Sequence, residues 1–173
     1  MPEPYEKLKR SALKSIAEKL CVSARTAPKT KGIDNLVINI LTDSEKNELA
    51  DRMREKAKRT SRPGFQRDAA NIDTSDTIIL IGTKSSPSGL DCGFCGYPDC
   101  ASLTRGRGFC AYSAIDLGIA LGSAAFMASL FHADNRLMYS VGKTALEWGI
   151  LPGCVMAIGI PLSASGKNPF FDR

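Results

Sequence analysis

Cys92, Cys95, Cys100 and Cys110 put four of the chain's six cysteines into one short segment, spaced C-x2-C-x4-C-x9-C. Thiolates are soft ligands, and four in so short a span can close around one metal centre. Gly93 and Gly96 directly follow two of the cysteines, where a ligand loop has to curl back and backbone N–H groups can point at sulfur. Pro98 stiffens the same turn. Structural zinc sites favour two C-x2-C knuckles with a longer spacer between them. Here there is one knuckle and the third cysteine follows at x4, so the segment wraps one side of a larger object. That favours a 4Fe–4S cubane over zinc, with a redox thiol pair as a third option. Arg105 and Arg107 lie in the same segment, where cations either raise the potential of a negatively charged cluster or are simply solvated. Cys21 and Cys154 lie outside it and read as small buried apolar residues.

The remaining composition mostly excludes. His132 is the one histidine of the sequence, which rules out a multi-histidine metal site and argues against a Ser-His-Asp hydrolase; it reads as a helix-end residue. A chain of 173 residues, 43% hydrophobic and 24% charged, is neither collagen-like nor disordered, and one domain over residues 1–173 is expected. Six cysteines are too few for a disulfide-stapled scaffold of this length, and no apolar leader opens the chain, so a reducing cytoplasm is expected. The apolar run from Leu117 to Phe131 falls short of a membrane span and reads as a buried helix. The net charge of +5 is uneven: residues 1–67 hold 16 Lys and Arg against 9 Asp and Glu, and residues 68–173 hold 7 against 9. Neither a continuous basic stripe nor a nucleic-acid module is visible, so nucleic acid is not an expected partner.

The elements that have to position the cysteines follow from hydrophobic periodicity. Tyr5, Leu8, Leu13, Ile16, Leu20 and Ala24 predict an amphipathic helix from Pro4 to about Ala27. Leu36–Leu41 is a short, nearly all-apolar run that predicts a strand internal to a sheet. Thr42 with Glu45 is a capping-box signature opening a charged helix through Leu49, Met53 and Ala57. A weaker helix is predicted from Phe65 to Ile72, and a second buried strand from Thr77 to Gly82. Residues 83–110 are rich in Ser, Pro, Gly and Cys, and a loop of that length needs a functional or covalent reason to be ordered. Ala111 to Phe131 is the most apolar helix, with Ala114, Gly118 and Gly122 in one small-residue row and Ala120, Ala124 and Ala128 in another, suited to close helix approach at a core or a dimer axis. Asp134 is expected to cap a helix running to about Trp148, with Arg136 pairing with a carboxylate, rather than Asp134-Asn135-Arg136 contacting a substrate, and Cys154–Ile160 is a third strand candidate.

Several blocks are similar to one family. Cys92-Gly93-Phe94-Cys95-Gly96, Ala114 through Ala120, Asp134-Asn135-Arg136 and the ending Ile160 through Arg173 resemble the uncharacterised ferredoxin domain-containing proteins. That family in turn resembles the flavin nitroreductases, whose α+β fold pairs two subunits over a long central helix with flavin mononucleotide (FMN) at the interface. The resemblance implies a nitroreductase-like α+β fold, a central small sheet flanked by helices, with the cysteine-rich loop at 83–110 as a metal-binding insertion. It further implies a homodimer, FMN as a candidate cofactor, Ser23 through Asn35 as the counterpart of the flavin-touching segment, and Ala157–Pro161 as the last core strand. The Arg-Arg-Ser-x-Arg block with which nitroreductases grip the flavin phosphate has no counterpart ahead of the first helix. Arg25, Lys29, Lys31, Lys167 and Arg173, cations beside turn residues, are the candidate phosphate-holding groups instead. The reading is an electron-transfer protein or reductase partner with a 4Fe–4S cluster on Cys92, Cys95, Cys100 and Cys110, served by a redox partner or flavin. The alternative is a non-enzymatic protein whose loop is stapled by zinc or a cluster to build a partner surface.

Overall fold

Three apolar runs of six, seven and eight residues in this chain become strands, joined by a short polar pair, and the helices between them cover both faces of the resulting sheet. The computed structural model describes residues 2–171. In chain order the elements are α1 (Tyr5–Thr26), β1 (Leu36–Leu41), α2 (Asp43–Thr60), α3 (Pro63–Asp73), β2 (Thr77–Thr83), α4 (Cys100–Arg105), α5 (Ala111–Leu130), β3 (Asp134–Asn135), α6 (Tyr139–Trp148) and β4 (Met156–Ser163). The strands form one antiparallel sheet in the order β1-β2-β4-β3.

Strand alternation divides the core in two. Ile79 and Ile81 of β2, with Ile160 and Leu162 of β4, face Leu13, Ala17, Leu20 and Ala24 of α1 and Leu117, Ala120, Leu121, Ala124 and Ala128 of α5. Ile78 and Leu80 face the other way, against Leu49 and Met53 of α2, Ala69 and Ile72 of α3 and Val141 and Ala145 of α6. The α6 layer approaches β4 backbone to backbone, so that a Cβ on Gly142 would lie 1.9 Å from the Ala157 carbonyl oxygen.

Several expectations are corrected. β1 is an edge strand whose middle residues are half-buried, although it was expected inside the sheet; an apolar run reports cover on the faces of a strand and says nothing about pairing at its sides. Asp134 caps no helix: it pairs in β3 with Ser163, and its carboxylate accepts from Asn168 Nδ2 at 2.8 Å, while α6 begins five residues later. Among the described residues Arg136 meets no carboxylate; its Nη1 donates to the Phe170 carbonyl at 3.3 Å and its guanidinium lies over the Phe171 ring. Thr42 does hold the N-cap position of α2, but its hydroxyl makes no capping hydrogen bond. His132 closes α5 in a left-handed conformation, φ 53°, at the helix end as read.

α5 is 20 residues long, with a mean hydropathy of 1.5, and by length and composition it is apolar enough to cross a membrane. The run Leu117–Phe131 alone is too short to span, and Ala111–Asp116 lengthen the helix. One of its small-residue rows, Ala120, Ala124 and Ala128, is buried against α1 and the sheet. The other is not: Gly118 and Gly122 face open space.

Candidate metal centre

The cysteine segment leaves the end of β2 and returns at the start of α5, so both its anchors are core elements. Within it Cys92 and Cys95 lie on irregular backbone, Cys100 opens α4 and Cys110 is the N-cap residue of α5. All four line one small cavity, together with Ser88, Asp91, Tyr97 and Leu103, and none is in a disulfide. Gly93 and Gly96 take left-handed backbone, φ 72° and 80°, and a tight turn closes between them through Gly96 N–H to the Gly93 carbonyl at 2.9 Å. Only glycine reaches these angles without a Cβ penalty, which is why the chain can double back between one sulfur and the next.

Two acids hold the second half of the loop. Asp91, itself left-handed, accepts the Cys100 N–H at 2.8 Å and so sets where α4 starts. Asp99 caps α4 by accepting the Ser102 N–H at 2.6 Å, and that hydrogen bond, with the Ser102 hydroxyl, holds its carboxyl below the usual range. Arg105 Nη2 donates to the Ser102 hydroxyl at 2.8 Å, and Arg107 is exposed.

The buried Cys110 carries the clearest chemistry. Burial pushes its thiol up, but N–H groups of Ser88, Ser113 and Tyr112 and the Ser88 hydroxyl outweigh it, and the net shift is downward. Ser88 Oγ is buried and has no other hydrogen-bond partner. A thiol at the start of a long helix, surrounded by donors, is stabilised as the thiolate, the form that ligates metal. The two other cysteines behave oppositely: burial raises the Cys21 thiol to about 11 and raises Cys154 as well, as expected for apolar packing residues. Among the described residues no three His, Cys, Asp or Glu side chains converge as a single metal ion requires. The four cysteines offer soft sulfur donors around one small cavity. The chemistry of this donor set suits a soft metal centre.

The turn after α1 is tied to α5 and to the cysteine loop by contacts that residue order alone does not pair. Asp116, buried on α5, accepts both the N–H and the hydroxyl of Thr30 through Oδ1, at 3.0 and 2.9 Å. Lys31, left-handed at φ 56°, reaches the loop at Gly89. Phe94, between Cys92 and Cys95, stacks on Tyr112 with ring centroids 5.9 Å apart.

Among the described residues, the candidate phosphate-holding cations stand at two different ends of the sheet. Arg25 Nη1 is engaged by Asp34 Oδ2 at 2.5 Å and the Leu36 carbonyl at 3.0 Å. Lys29 Nζ caps the end of α1 through the carbonyls of Ala24, Arg25 and Ala27. Both stand at the end of the sheet where Leu36, Thr83 and Met156 align, beside the cysteine loop. Lys167 follows the opposite end of β4, in a groove with Arg67, Asn71, Arg136 and Phe171. Arg173 lies outside the described residues.

Helical layers on both faces of a small antiparallel sheet, with a cysteine-lined loop inserted before the long α5, define a nitroreductase-like α+β protein. The same fold is seen in nitroreductase CinD from Lactococcus lactis in complex with chloramphenicol, with a TM-score of 0.63 and 14% identity over 92% of this chain and 84% of that one. It is also seen in an oxidoreductase containing FMN, with a TM-score of 0.60 and 13% identity over 99% of this chain and 72% of that one. A nitroreductase-like family protein from Bacillus cereus gives a TM-score of 0.61 and 11% identity over 92% and 79%. The chain belongs to the family of uncharacterized proteins containing a ferredoxin domain, whose pattern matches residues 107–173. An uncharacterized protein of Archaeoglobus fulgidus is 38% identical over 174 residues, 95% of this chain and 94% of the relative. The matched pattern includes Cys110 and begins after Cys92, Cys95 and Cys100.

Proposed function

We propose that this chain is a redox protein that holds a 4Fe–4S cluster on Cys92, Cys95, Cys100 and Cys110 and exchanges electrons with a partner. The observation that carries the reading is the single cavity lined by four unpaired cysteines, one of them held toward the thiolate by the N-terminus of α5. Membership of a ferredoxin-domain family supports it. A bound cluster of this kind supplies one-electron chemistry at a potential set by hydrogen bonds to sulfur, charge and exposure. The chain's own residues act on those levers. Ser88, Ser113 and Tyr112 direct N–H groups at the Cys110 sulfur, Asp91 fixes the start of α4 and hence Cys100, and Lys31 and Arg105 bring positive charge to the loop.

The working unit in this reading is two copies of one domain, residues 1–173, in contact along α5 in a reducing cytoplasm. The open row at Gly118 and Gly122 and the exposed Ile115, Ile119, Phe126 and Leu130 beside it support that arrangement. A neighbour whose title names FMN makes flavin the second group to look for. Among the described residues, Arg25 and Lys29 are engaged by Asp34 and by main-chain carbonyls, so a flavin phosphate would have to compete with these partners.

An ultraviolet–visible spectrum of anaerobically purified protein, before and after dithionite, tests the proposal. A broad brown absorption that bleaches on reduction, with about four irons per chain, is expected. Colourless protein carrying one zinc per chain overturns it in favour of a metal-stapled interaction protein. A structured yellow band would add flavin.

A further inference from the structure

We infer that the cysteine loop is itself part of the face that a second copy of this chain covers, so that loading of the centre and pairing of the chains strengthen each other. The inference rests on the cluster and on the two-copy unit proposed above, and it concerns how they are coupled.

Tyr112, Ile115, Ile119, Gly122, Phe126 and Leu130 follow one another along α5 at steps of three or four, and therefore lie on one side of the helix. That side points away from the core: Ile115, Ile119, Phe126 and Leu130 are exposed, and Gly122 meets nothing. Phe94 extends this stripe onto the cysteine loop, because its ring stacks on Tyr112 and is still 69% exposed. Exposed Phe94, Ile115, Ile119, Phe126 and Leu130 together present roughly 500 Å² of apolar surface, over half of the roughly 800 Å² per partner of a standard interface. The stripe is long, straight and apolar with notches at Gly118 and Gly122, so a like helix crossing it is self-complementary, as a two-fold contact requires. The occupant to which this face commits is a second copy.

The coupling follows from where Phe94 sits. It lies between two of the proposed ligands, on backbone held by the short Gly93–Gly96 turn and by no regular element. A centre bound to Cys92 and Cys95 fixes the position of the Phe94 ring before the chains meet, and association then does not have to order it. By reciprocity, a partner that buries Phe94 favours the loaded loop.

The test is the dissociation constant of the two-chain species, measured anaerobically by sedimentation velocity on iron-loaded protein and on the same preparation stripped with chelator and ferricyanide. Association at least tenfold tighter in the loaded form is expected. Phe94→Ser should reduce that ratio to below threefold. Phe126→Ser, at the far end of the stripe, should weaken both forms alike and preserve the ratio. Equal constants for loaded and stripped wild-type protein overturn the coupling while leaving cluster and pairing intact. Protein that takes up no iron, or single chains in both states, overturns it together with the reading beneath it, and absorbance and mass separate those two failures.

Discussion

Replacing Asp116 by Ala removes the one acceptor that serves two donors of the turn after α1, the Thr30 N–H at 3.0 Å and the Thr30 hydroxyl at 2.9 Å. Hydrogen bonds to a charged group are worth about 1.5–3 kcal/mol each, and a donor left unsatisfied costs about 1–3 kcal/mol. Thr30 is half-buried, so water recovers part of this. The expected loss is about 2–4 kcal/mol, which for a domain of this size lowers Tm by roughly 4–16 °C. Asp116→Asn keeps an oxygen that accepts from both donors and should cost about 1 kcal/mol, because only the charge is lost. Urea denaturation of metal-free protein at one fixed concentration measures both, keeping metal and self-association out of the comparison. Amide exchange at Thr30 gives the local readout. The reasoning fails if Asp116→Ala costs under about 1 kcal/mol with the Thr30 amide still protected, or if Asn is as damaging as Ala.

Other consequences are equally direct. Gly142→Ala places a Cβ 1.9 Å from the Ala157 oxygen and 2.2 Å from its carbonyl carbon, so α6 has to lift off β4; a loss of about 3 kcal/mol or more in urea is expected. Cys95→Ser should abolish stoichiometric iron and speed amide exchange over residues 84–110, whereas retained iron with a protected loop would remove Cys95 from the ligand set. Glu147 is held below its ordinary value of 4.5 chiefly by the hydrogen bond from buried Lys56, at 2.6 Å. Its contribution is therefore complete above pH 4.5 and is lost as the pH falls through the lower folded value. The carboxylate is partly exposed, so Glu147→Gln should change stability at pH 7 by under about 1 kcal/mol and flatten the acid limb of the pH–stability profile. With its thiol raised to about 11, Cys21 should be alkylated by iodoacetamide at pH 8 far more slowly in folded, metal-free protein than in urea, and mass mapping of the labelled site gives the ratio.

Much of the molecule could be read from residue order. The second strand is fully buried because Thr77–Thr83 has no polar alternation to expose, and α1 falls within a residue of its expected ends because Ala27-Pro28 breaks it. The four cysteines and the left-handed glycines beside them were visible because ligand type and backbone freedom are properties of single residues. Asp134 shows where such reading stops. An Asp before a helical pattern looks like a cap, and only the return of the chain from β4, which brings Ser163 and Asn168 beside it, makes it a strand residue instead.

Residue order thus determined the chemistry available, four soft thiol groups within one short segment and a single histidine, because that depends on identity and spacing alone. Tertiary structure decided which groups meet. It put β1 at the sheet edge, tied Thr30 to Asp116 across 86 residues of sequence, and spent Arg25 and Lys29 on structural partners. It also laid Phe94 on the open face of α5. These are contacts between segments far apart in the chain, selected by how the two hydrophobic cores close on either side of the sheet, and no local pattern carries that information.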